Sequence, residues 1–216
     1  MNAISQYFKK IGWKRFVVMV IGNIFLGIGI SIFKFAGLGN DPYSGMIMAL
    51  SDVAGIAYAN FLVFANIAVF VLEVVFGKEF IGAGTIVNAF FVGYITTFFY
   101  ELWITWFTKP ESMVVQILIM LLGTIVTGLG VSMYQTPNVG ASPYDSLSLI
   151  MTKKIPKFSY FWHRICTDAI CAFICFLSGG IIGLGTLVSA LGLGPVIDFF
   201  NKHFTRKLFG KDEDIL

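Results

Sequence analysis

The chain contains the same segment twice. When the sequence is shifted by 101 positions, residues 22–100 align with residues 123–201 without a gap, and 18 of the 79 aligned pairs are identical. Glycine carries most of this agreement, because 7 of the 11 glycines in the first segment fall on a glycine of the second. A residue of that abundance would match about once by chance. The chain is therefore an internal duplication, with repeat A at about 15–103 and repeat B at about 113–204.

The composition places this duplication in a lipid bilayer. Hydrophobic residues make up 57% of the chain and charged residues only 12%, with a mean hydropathy of +0.83, whereas a soluble domain carries about 25% charged residues. Six apolar segments are long enough to cross about 30 Å of hydrocarbon as helices. They are Trp13–Phe35, Asn60–Phe76, Ile81–Trp103, Met113–Tyr134, Tyr160–Leu177 and Ile181–Phe200. The predicted fold is an all-α membrane protein with six transmembrane helices, in a single integral-membrane domain over residues 1–216.

Between the first and second spans of each repeat lies a segment too short to cross alone. As helices, Pro42–Asp52 and its counterpart Pro143–Lys153 would each be about 16 Å long, at about 1.5 Å per residue. If both are re-entrant or broken half-helices, each repeat has three full crossings, and this odd number requires repeat B to be inverted relative to repeat A. If both segments span the membrane, the repeats are parallel.

Positive charge favours the inverted arrangement, because cytoplasmic loops collect Lys and Arg. The entry to repeat A is basic, whereas the matching linker Thr105–Ser112 has only Lys109. After the short segments the bias is reversed, since residues 51–60 contain no Lys or Arg and the corresponding part of repeat B contains three lysines. The basic residues in question are Lys9, Lys10, Lys14, Arg15, Lys153, Lys154 and Lys157. We therefore expect two inverted three-helix repeats with both termini in the cytoplasm.

The two short segments begin with related motifs. Repeat A reads Asp-Pro-Tyr-Ser over residues 41–44, and repeat B reads Ser-Pro-Tyr-Asp over residues 142–145. Pro42 and Pro143 suit the first position of a helix, which places Asp41 and Ser142 at the N-cap. Ser142 and Asp145 have the spacing of an acidic capping box. Capping alone would explain these residues, because backbone N–H groups within a membrane must find partners.

A functional interpretation of the same motifs adds one geometric step. Five or six extended residues reach about 18 Å, far enough for the loop before each short helix to descend from one membrane face to the midplane. Two such loops would bring both helix N-termini together, where transporters with broken helices bind substrates and ions. The candidate substrate- or ion-binding residues are Asp41, Pro42, Tyr43, Ser142, Pro143, Tyr144 and Asp145. Because two acids face one site, we expect it to take a cation or a proton-coupled solute rather than an anion.

These motifs resemble those of the YczE/YitT-like family of small bacterial integral-membrane proteins. Gly140, Pro143 and Asp145 match its G-x-x-P-x-D-type signature with one extra residue of spacing, and the length and helix pattern agree over roughly residues 15–200. In repeat A the acid precedes the proline, at Asp41, and Ser44 stands where the signature has the acid. The resemblance implies a bacterial plasma membrane and, since the family is largely uncharacterised, no particular substrate or cofactor.

A few polar residues inside the predicted spans are secondary candidates. Arg164 and Asp168 are four residues apart, so an intrahelical ion pair with Arg164 reaching to the membrane interface is expected, with a role in the site as the alternative. Asn88 and Ser189 occupy equivalent positions and either line a path or hold helices together. The repeated glycines, among them Gly93 and Gly194, are expected where helices approach closely.

The combined observations favour a transporter or channel-like protein for a small solute or ion, with proton coupling as one form of it. The alternative is a non-transporting membrane partner or regulatory subunit. We expect no enzyme activity, because HExxH and GxSxG motifs are absent from the sequence. The three cysteines share one predicted helix without a set of histidines, so no metal or other cofactor is expected. The expected partners are the bilayer and the solute, with no nucleic acid, and an oligomer is compatible with the sequence.

Overall fold

The protein is a helical bundle whose elements repeat in order. The structure is a computed structural model that describes residues 12–209, so Lys9 and Lys10 lie outside the described residues. Repeat A contributes α1 (Trp13–Ala36), α2 (Pro42–Ala54), α3 (Tyr58–Phe76), a 3₁₀ turn (Lys78–Phe80) and α4 (Ala83–Trp106). Repeat B contributes α5 (Met113–Gln135), α6 (Pro143–Lys154), α7 (Tyr160–Leu177), α8 (Leu184–Phe200), a π-helical turn (Asn201–Thr205) and α9 (Arg206–Phe209).

Six helices are long and apolar enough to cross a membrane, as predicted. They are α1, α3, α4, α5, α7 and the continuous segment Leu184–Phe209. The two short helices between them, α2 and α6, have 13 and 12 residues and begin at the predicted prolines. Many large apolar side chains on α3, α7 and α8 are exposed, among them Phe64, Phe173 and Leu187. Such surfaces fit a lipid environment, where apolar side chains lose nothing by exposure.

The loops that lead into the short helices have the same backbone conformation in both repeats. Gly39 and its equivalent Gly140 have φ angles of 95° and 117°, and Gly37 and its equivalent Asn138 have φ angles of 74° and 52°. Positive φ is strained for most residues other than glycine, which explains why Gly39 and Gly140 are identical in the two repeats. The two repeats thus share positive φ angles at equivalent loop positions as well as the order of their helices.

Helices α1 and α5 occupy equivalent positions in the repeats and form the tightest contact of the bundle. A Cβ atom added at Gly22 would lie 2.5 Å from the Tyr134 amide nitrogen, and one added at Gly123 would lie 3.1 Å from the Phe33 ring. Further along, Gly29 lies against Thr127. Residue numbers rise along α1 as they fall along α5, so the two helices run antiparallel. Small residues allow this approach, as is common between membrane helices.

Backbone hydrogen bonds tie each repeat to the loop of the other. The Gly84 amide donates to the Val139 carbonyl at 2.8 Å, and the Gly185 amide donates to the Leu38 carbonyl at 2.8 Å. Gly84 is equivalent to Gly185 and Leu38 to Val139, so the second bond is the first with the two repeats exchanged. The short helices also pack across the boundary, since α2 lies against α7 and α6 lies against both α3 and α7. The position of each short helix therefore depends on the other repeat.

Candidate functional site

Both short helices begin with the predicted caps. The Asp41 Oδ1 atom accepts a hydrogen bond from the Ser44 amide at 3.0 Å, and the Ser142 Oγ atom accepts one from the Asp145 amide at 3.1 Å. Pro42 and Pro143 occupy the first helical turn, where the missing N–H has no intrahelical partner to lose. The sequence motif is thus a helix start in both repeats.

Of the two hydrogen bonds in the expected capping box at Ser142 and Asp145, the one from the Asp145 amide to the Ser142 hydroxyl is present, while the Asp145 carboxylate is directed elsewhere. The Asp145 carboxylate accepts a hydrogen bond from Gln135 Nε2 at 2.9 Å and forms an ion pair with Arg164. A charged guanidinium is a stronger partner for a carboxylate than a neutral backbone amide. Asp145 is therefore directed away from its own helix start and towards α7.

The first turns of the two short helices touch through a pair of tyrosines. The rings of Tyr43 and Tyr144, which are equivalent in the repeats, stack with their centroids 4.3 Å apart and their planes 7° apart. The Tyr43 hydroxyl donates to Asn66 Oδ1 at 2.8 Å, and the Tyr144 hydroxyl donates to the Asp168 carboxylate. Each ring is thus anchored to a full-length helix, and the two helix N-termini are held side by side.

A central cavity of about 90 Å³ lies beside this tyrosine pair, which is room for several water molecules. It is lined by most of the candidate residues from the sequence. These are Asp41, Tyr43, Asn88, Ser142, Tyr144, Asp145 and Arg164. Pro42 and Pro143 begin the helices without lining the cavity, and within residues 12–209 neither Asp168 nor Ser189 lines it. Ser189 donates instead to the Thr186 carbonyl of its own helix.

Arg164 is the cation of the site, and the expected pair within α7 is present, with Arg164 Nε 3.4 Å from Asp168 Oδ2. The same guanidinium pairs with Asp145 and covers the Tyr144 ring, 4.5 Å from its centroid. Two carboxylates and an aromatic face thus bind the Arg164 guanidinium at the wall of the cavity.

Three buried oxygen atoms at the cavity have no hydrogen-bond partner among the described residues: Asp41 Oδ2, Tyr58 Oη and Thr127 Oγ1. Tyr58 is 8% exposed and Thr127 is 3% exposed, and both residues line the cavity together with Asp41. Buried polar atoms in native proteins are nearly always paired with protein, water or a ligand. These three atoms are therefore unpaired polar groups on residues that line the cavity.

Two larger pockets occupy equivalent places in the two repeats. The Lys34 pocket, of about 320 Å³, is lined by Lys34, Gly39, Met48 and Tyr100, among others. The Gln135 pocket, of about 270 Å³, is lined by the equivalents of these four residues, Gln135, Gly140, Leu149 and Asn201. Asp145 lines both the Gln135 pocket and the central cavity, whereas no residue described in 12–209 lines both the Lys34 pocket and the cavity. The cavity therefore adjoins the Gln135 pocket through Asp145 and shares no such described residue with the Lys34 pocket.

The barrier on the Lys34 side contains Tyr58. Lys34 Nζ lies 5.8 Å from the Tyr58 ring centroid and 4.2 Å from that of Tyr100. Tyr58 thus stands between the cavity that it lines and the pocket that Lys34 lines. In repeat B the residue at the start of the corresponding helix is Tyr160, which is 37% exposed in the Gln135 pocket. The tyrosine that begins this helix is therefore buried in repeat A and exposed in repeat B.

A family model described as "Family of unknown function (DUF6198)" matches residues 13–202, which include both repeats and every residue of the cavity. The chain belongs to this family.

Three curated bacterial proteins are similar to this DUF6198 chain over most of its length. An "Uncharacterized protein" of Haemophilus influenzae is 25% identical over 194 residues, which are 87% of this chain and 84% of that protein. The "Uncharacterized membrane protein YczE" of Bacillus subtilis is 25% identical over 186 residues, which are 86% of this chain and 84% of YczE. The B. subtilis "Uncharacterized protein YyaS" is 22% identical over 200 residues, 89% and 97% of the two chains. The resemblance to YczE is thereby confirmed. No solved structure matches the chain significantly.

Sequence reasoning missed several polar residues around the cavity of this DUF6198 member. Tyr58 and Thr127 lie in largely apolar helices and belong to no motif that would distinguish them from interface residues. Gln135 and Asn66 contact the motif residues only after α3 and α5 pack against the short helices. A possible signal was the repeat itself, because Gln135 is equivalent to Lys34 and both carry a polar group at the same turn.

Proposed function

We propose that this chain is a membrane transporter or channel-like protein for a small solute or ion, with its site in the cavity at the paired N-termini of α2 and α6. The stack of Tyr43 on Tyr144 carries the proposal, because it brings equivalent broken-helix ends of two repeats to one cavity. Helix N-termini at a repeat interface are where transporters of inverted architecture place their substrates and coupling ions. A purely structural duplication has no need for a cavity with charged and polar side chains at that position.

The inverted arrangement of the repeats is part of this proposal. Its support is the antiparallel contact of equivalent helices, with Gly22 against Tyr134 and Gly123 against Phe33. The exchanged hydrogen bonds of Gly84 and Gly185 have the reciprocity of a two-fold axis. If α1 and α5 both span the bilayer, such an axis lies in the membrane plane. The short helices then enter as re-entrant half-helices from opposite faces of a bacterial plasma membrane.

The basic residues orient the bundle in this proposal. Lys153 and Arg206 lie on the side of the Gln135 pocket, and cytoplasmic loops carry the excess of Lys and Arg. The Gln135 pocket then faces the cytoplasm, the linker after α4 faces outward, and both termini are cytoplasmic. In this state the cavity shares Asp145 with the pocket on the cytoplasmic side, and Tyr58 separates it from the pocket on the outer side. Because the repeats are equivalent, exchanging their conformations would open the Lys34 pocket instead.

Flux into liposomes tests the proposal directly. The protein is reconstituted with an internal pH dye, and cationic, neutral and anionic solutes are added in turn, each with a parallel measurement of solute uptake. We expect at least one small solute to enter, and entry to fall at least tenfold in the double variant Asp41→Asn with Asp145→Asn. The matched control is Asp198→Asn, which removes an exposed carboxylate that pairs only with Lys202. A change in the fluorescence of the pH dye that accompanies uptake would show that solute entry is coupled to proton movement.

The same experiment separates the alternative, a non-transporting membrane partner or regulatory subunit. That protein would move no solute of any charge into liposomes, and its cavity acids could be neutralised without consequence in cells. Uptake that persists in the double variant would mean that the protein is a transporter whose substrate site does not depend on these two cavity carboxylates.

A further inference from the structure

We propose that the central cavity binds a small monovalent metal or ammonium cation through the oxygen atoms of Asp41, Tyr58 and Thr127. This inference rests on the proposed function and specifies the ligand of the same site. Its basis is geometric: the three residues line one cavity, and each carries a buried oxygen without a hydrogen-bond partner among the described residues. Two of them are hydroxyls that can accept from or coordinate a ligand, and the third is a carboxylate.

The charges around the cavity are asymmetric between the repeats, and the asymmetry leaves Asp41 available. In repeat B, Asp145 is matched by Arg164 and Gln135. The equivalents of Arg164 and Asp168 in repeat A are Val63 and Ile67, so repeat A supplies no such cation. Arg164 of repeat B lines the same cavity, but its ion pairs in the described part of the chain are with Asp145 and Asp168 rather than with Asp41. The Asp41 Oδ1 atom accepts the Ser44 amide, and its Oδ2 atom has no partner. A buried carboxylate oxygen without a partner is costly, and a bound cation removes that cost.

The set of ligands favours a monovalent ion over a divalent one. Asp145 and Asp168 both pair with Arg164, whereas Asp41 forms no ion pair in the described part of the chain. One carboxylate with two hydroxyls suits a single monovalent cation. Calcium takes six to eight oxygen ligands and usually several carboxylates, and magnesium is held by carboxylates with ordered waters. Within residues 12–209, no cluster of three or more His, Cys, Asp or Glu side chains offers a divalent site.

The aromatic residues of the cavity do not favour an organic cation. Quaternary ammonium groups are recognised by free aromatic faces. One face of Tyr144 is covered by Tyr43, and Arg164 lies over the same ring at 4.5 Å. Tyr58 already has Lys34 at 5.8 Å from its ring centroid. The groups without a partner at the cavity are oxygen atoms, which suit a small, dehydrated cation.

Equilibrium binding to the purified full chain in detergent tests this inference without any transport. Thermal melts are compared in chloride salts of lithium, sodium, potassium, rubidium and ammonium, with N-methyl-D-glucamine chloride at equal ionic strength as the reference. A cation that binds only the folded protein should raise the melting temperature by about 3–6 °C at ten times its Kd. We expect at least one of these cations to do so, and titration calorimetry with the same salt should return the same Kd.

Two variants connect the shift to the proposed ligands. Asp41→Asn retains an amide that can cap α2 but removes the charge, and it should abolish the shift. Thr127→Val removes a hydroxyl and should raise Kd at least tenfold. The matched controls are Asp198→Asn and Thr97→Val, because the Thr97 hydroxyl bonds the Gly93 carbonyl of its own helix. If Asp41→Asn fails to fold, Thr127→Val and its control carry the test.

Three results would overturn the inference. They are equal melting temperatures of the wild type in every salt, a full shift retained in the folded Asp41→Asn or Thr127→Val protein, and a larger shift with magnesium or calcium that Asp41→Asn abolishes. Because none of these measurements involves flux, a solute that still enters liposomes in an Asp41-dependent manner would preserve the transporter while the cation assignment fails.

Discussion

Arg164 lies over the ring of Tyr144, with its guanidinium carbon 4.5 Å from the ring centroid. The contact links α7 to the first turn of α6, and the same guanidinium binds the Asp145 carboxylate of that turn. Arg164 has no counterpart in repeat A, where Val63 is equivalent. The two repeats therefore share a backbone plan but differ in the charge of the cavity wall. An asymmetric site of this kind can bind one ligand in one orientation.

Removing the guanidinium should destabilise the bundle. Arg164→Leu leaves Asp145 and Asp168, which are 9% and 8% exposed in their side chains, without their cation. We expect a loss of about 2 kcal/mol or more in the free energy of unfolding, because breaking a buried pair strands the partner's charge. Denaturation in mixed micelles measures this loss. The matched control is Lys202→Leu, which breaks the exposed pair with Asp198 and should cost about 0.5 kcal/mol or less.

The double variant Arg164→Leu with Asp145→Leu completes the cycle for this pair. It should recover about 1–3 kcal/mol relative to the sum of the single variants, because the unpaired charge of Asp145 is gone and only that of Asp168 remains. Purely additive losses would mean that the ion pair contributes nothing to the fold.

The helix caps give a prediction with a close control inside the same chain. Ser142→Ala removes the hydroxyl that accepts the Asp145 amide and should cost about 1 kcal/mol or somewhat more, since the freed N–H lies away from water. Ser159 also precedes a helix, yet its side chain makes no capping hydrogen bond. Ser159→Ala should therefore leave the melting temperature in detergent unchanged. Equal effects of the two substitutions would contradict the cap at α6.

Glycine substitutions distinguish packing from helix propensity. A Cβ atom at Gly22 would lie 2.5 Å from the Tyr134 backbone nitrogen, whereas one at Gly192 would have Val188 Cγ1, at an ordinary contact distance of 3.7 Å, as its neighbour. Gly22→Ala should push α1 from α5 and cost about 1–3 kcal/mol. Gly192→Ala should be neutral or stabilise α8 by up to about 1 kcal/mol, because alanine favours helix. Thermal melts of both variants measure these changes. A Gly22→Ala protein with an unchanged melting temperature would exclude the close antiparallel contact.

The helices could be predicted well from the sequence because hydrophobic length and proline position determine them locally. Pro42 and Pro143 begin helices as expected, and the six spans agree with the apolar segments to within a few residues. The role of Gly194 was wrong. Its identity with Gly93 indicated close packing, but only Gly93 has a neighbour, with Ala59 Cα 3.0 Å from a Cβ added there. A duplicated sequence preserves residues at positions whose surroundings have since diverged.

The side-chain contacts of the site could not be predicted to the same degree. The spacing of Arg164 and Asp168 predicts their pair because four residues make one helical turn. The pair of Arg164 with Asp145 depends on how α7 packs on α6, which no local pattern encodes. The same holds for Thr127, which faces the cavity only because α5 crosses α1 at Gly29. Motif residues were thus found, whereas the residues that complete the cavity come from helix packing.

Membrane topology gives the last prediction, because the proposed inversion requires the two sides of the bundle to carry opposite loops. The linker between α4 and α5 should face outward and the loop after α6 inward, according to the distribution of Lys and Arg. In a background with Cys166, Cys171 and Cys175 replaced by alanine, a cysteine at Thr108 should react with an impermeant thiol reagent in intact cells. A cysteine at Lys157, which is also exposed, is the matched control and should react only after lysis. Both positions are open to reagent in the bundle itself, so protection reports the membrane rather than burial. Labelling of both cysteines from the same side would establish parallel repeats, with α2 and α6 as crossing segments.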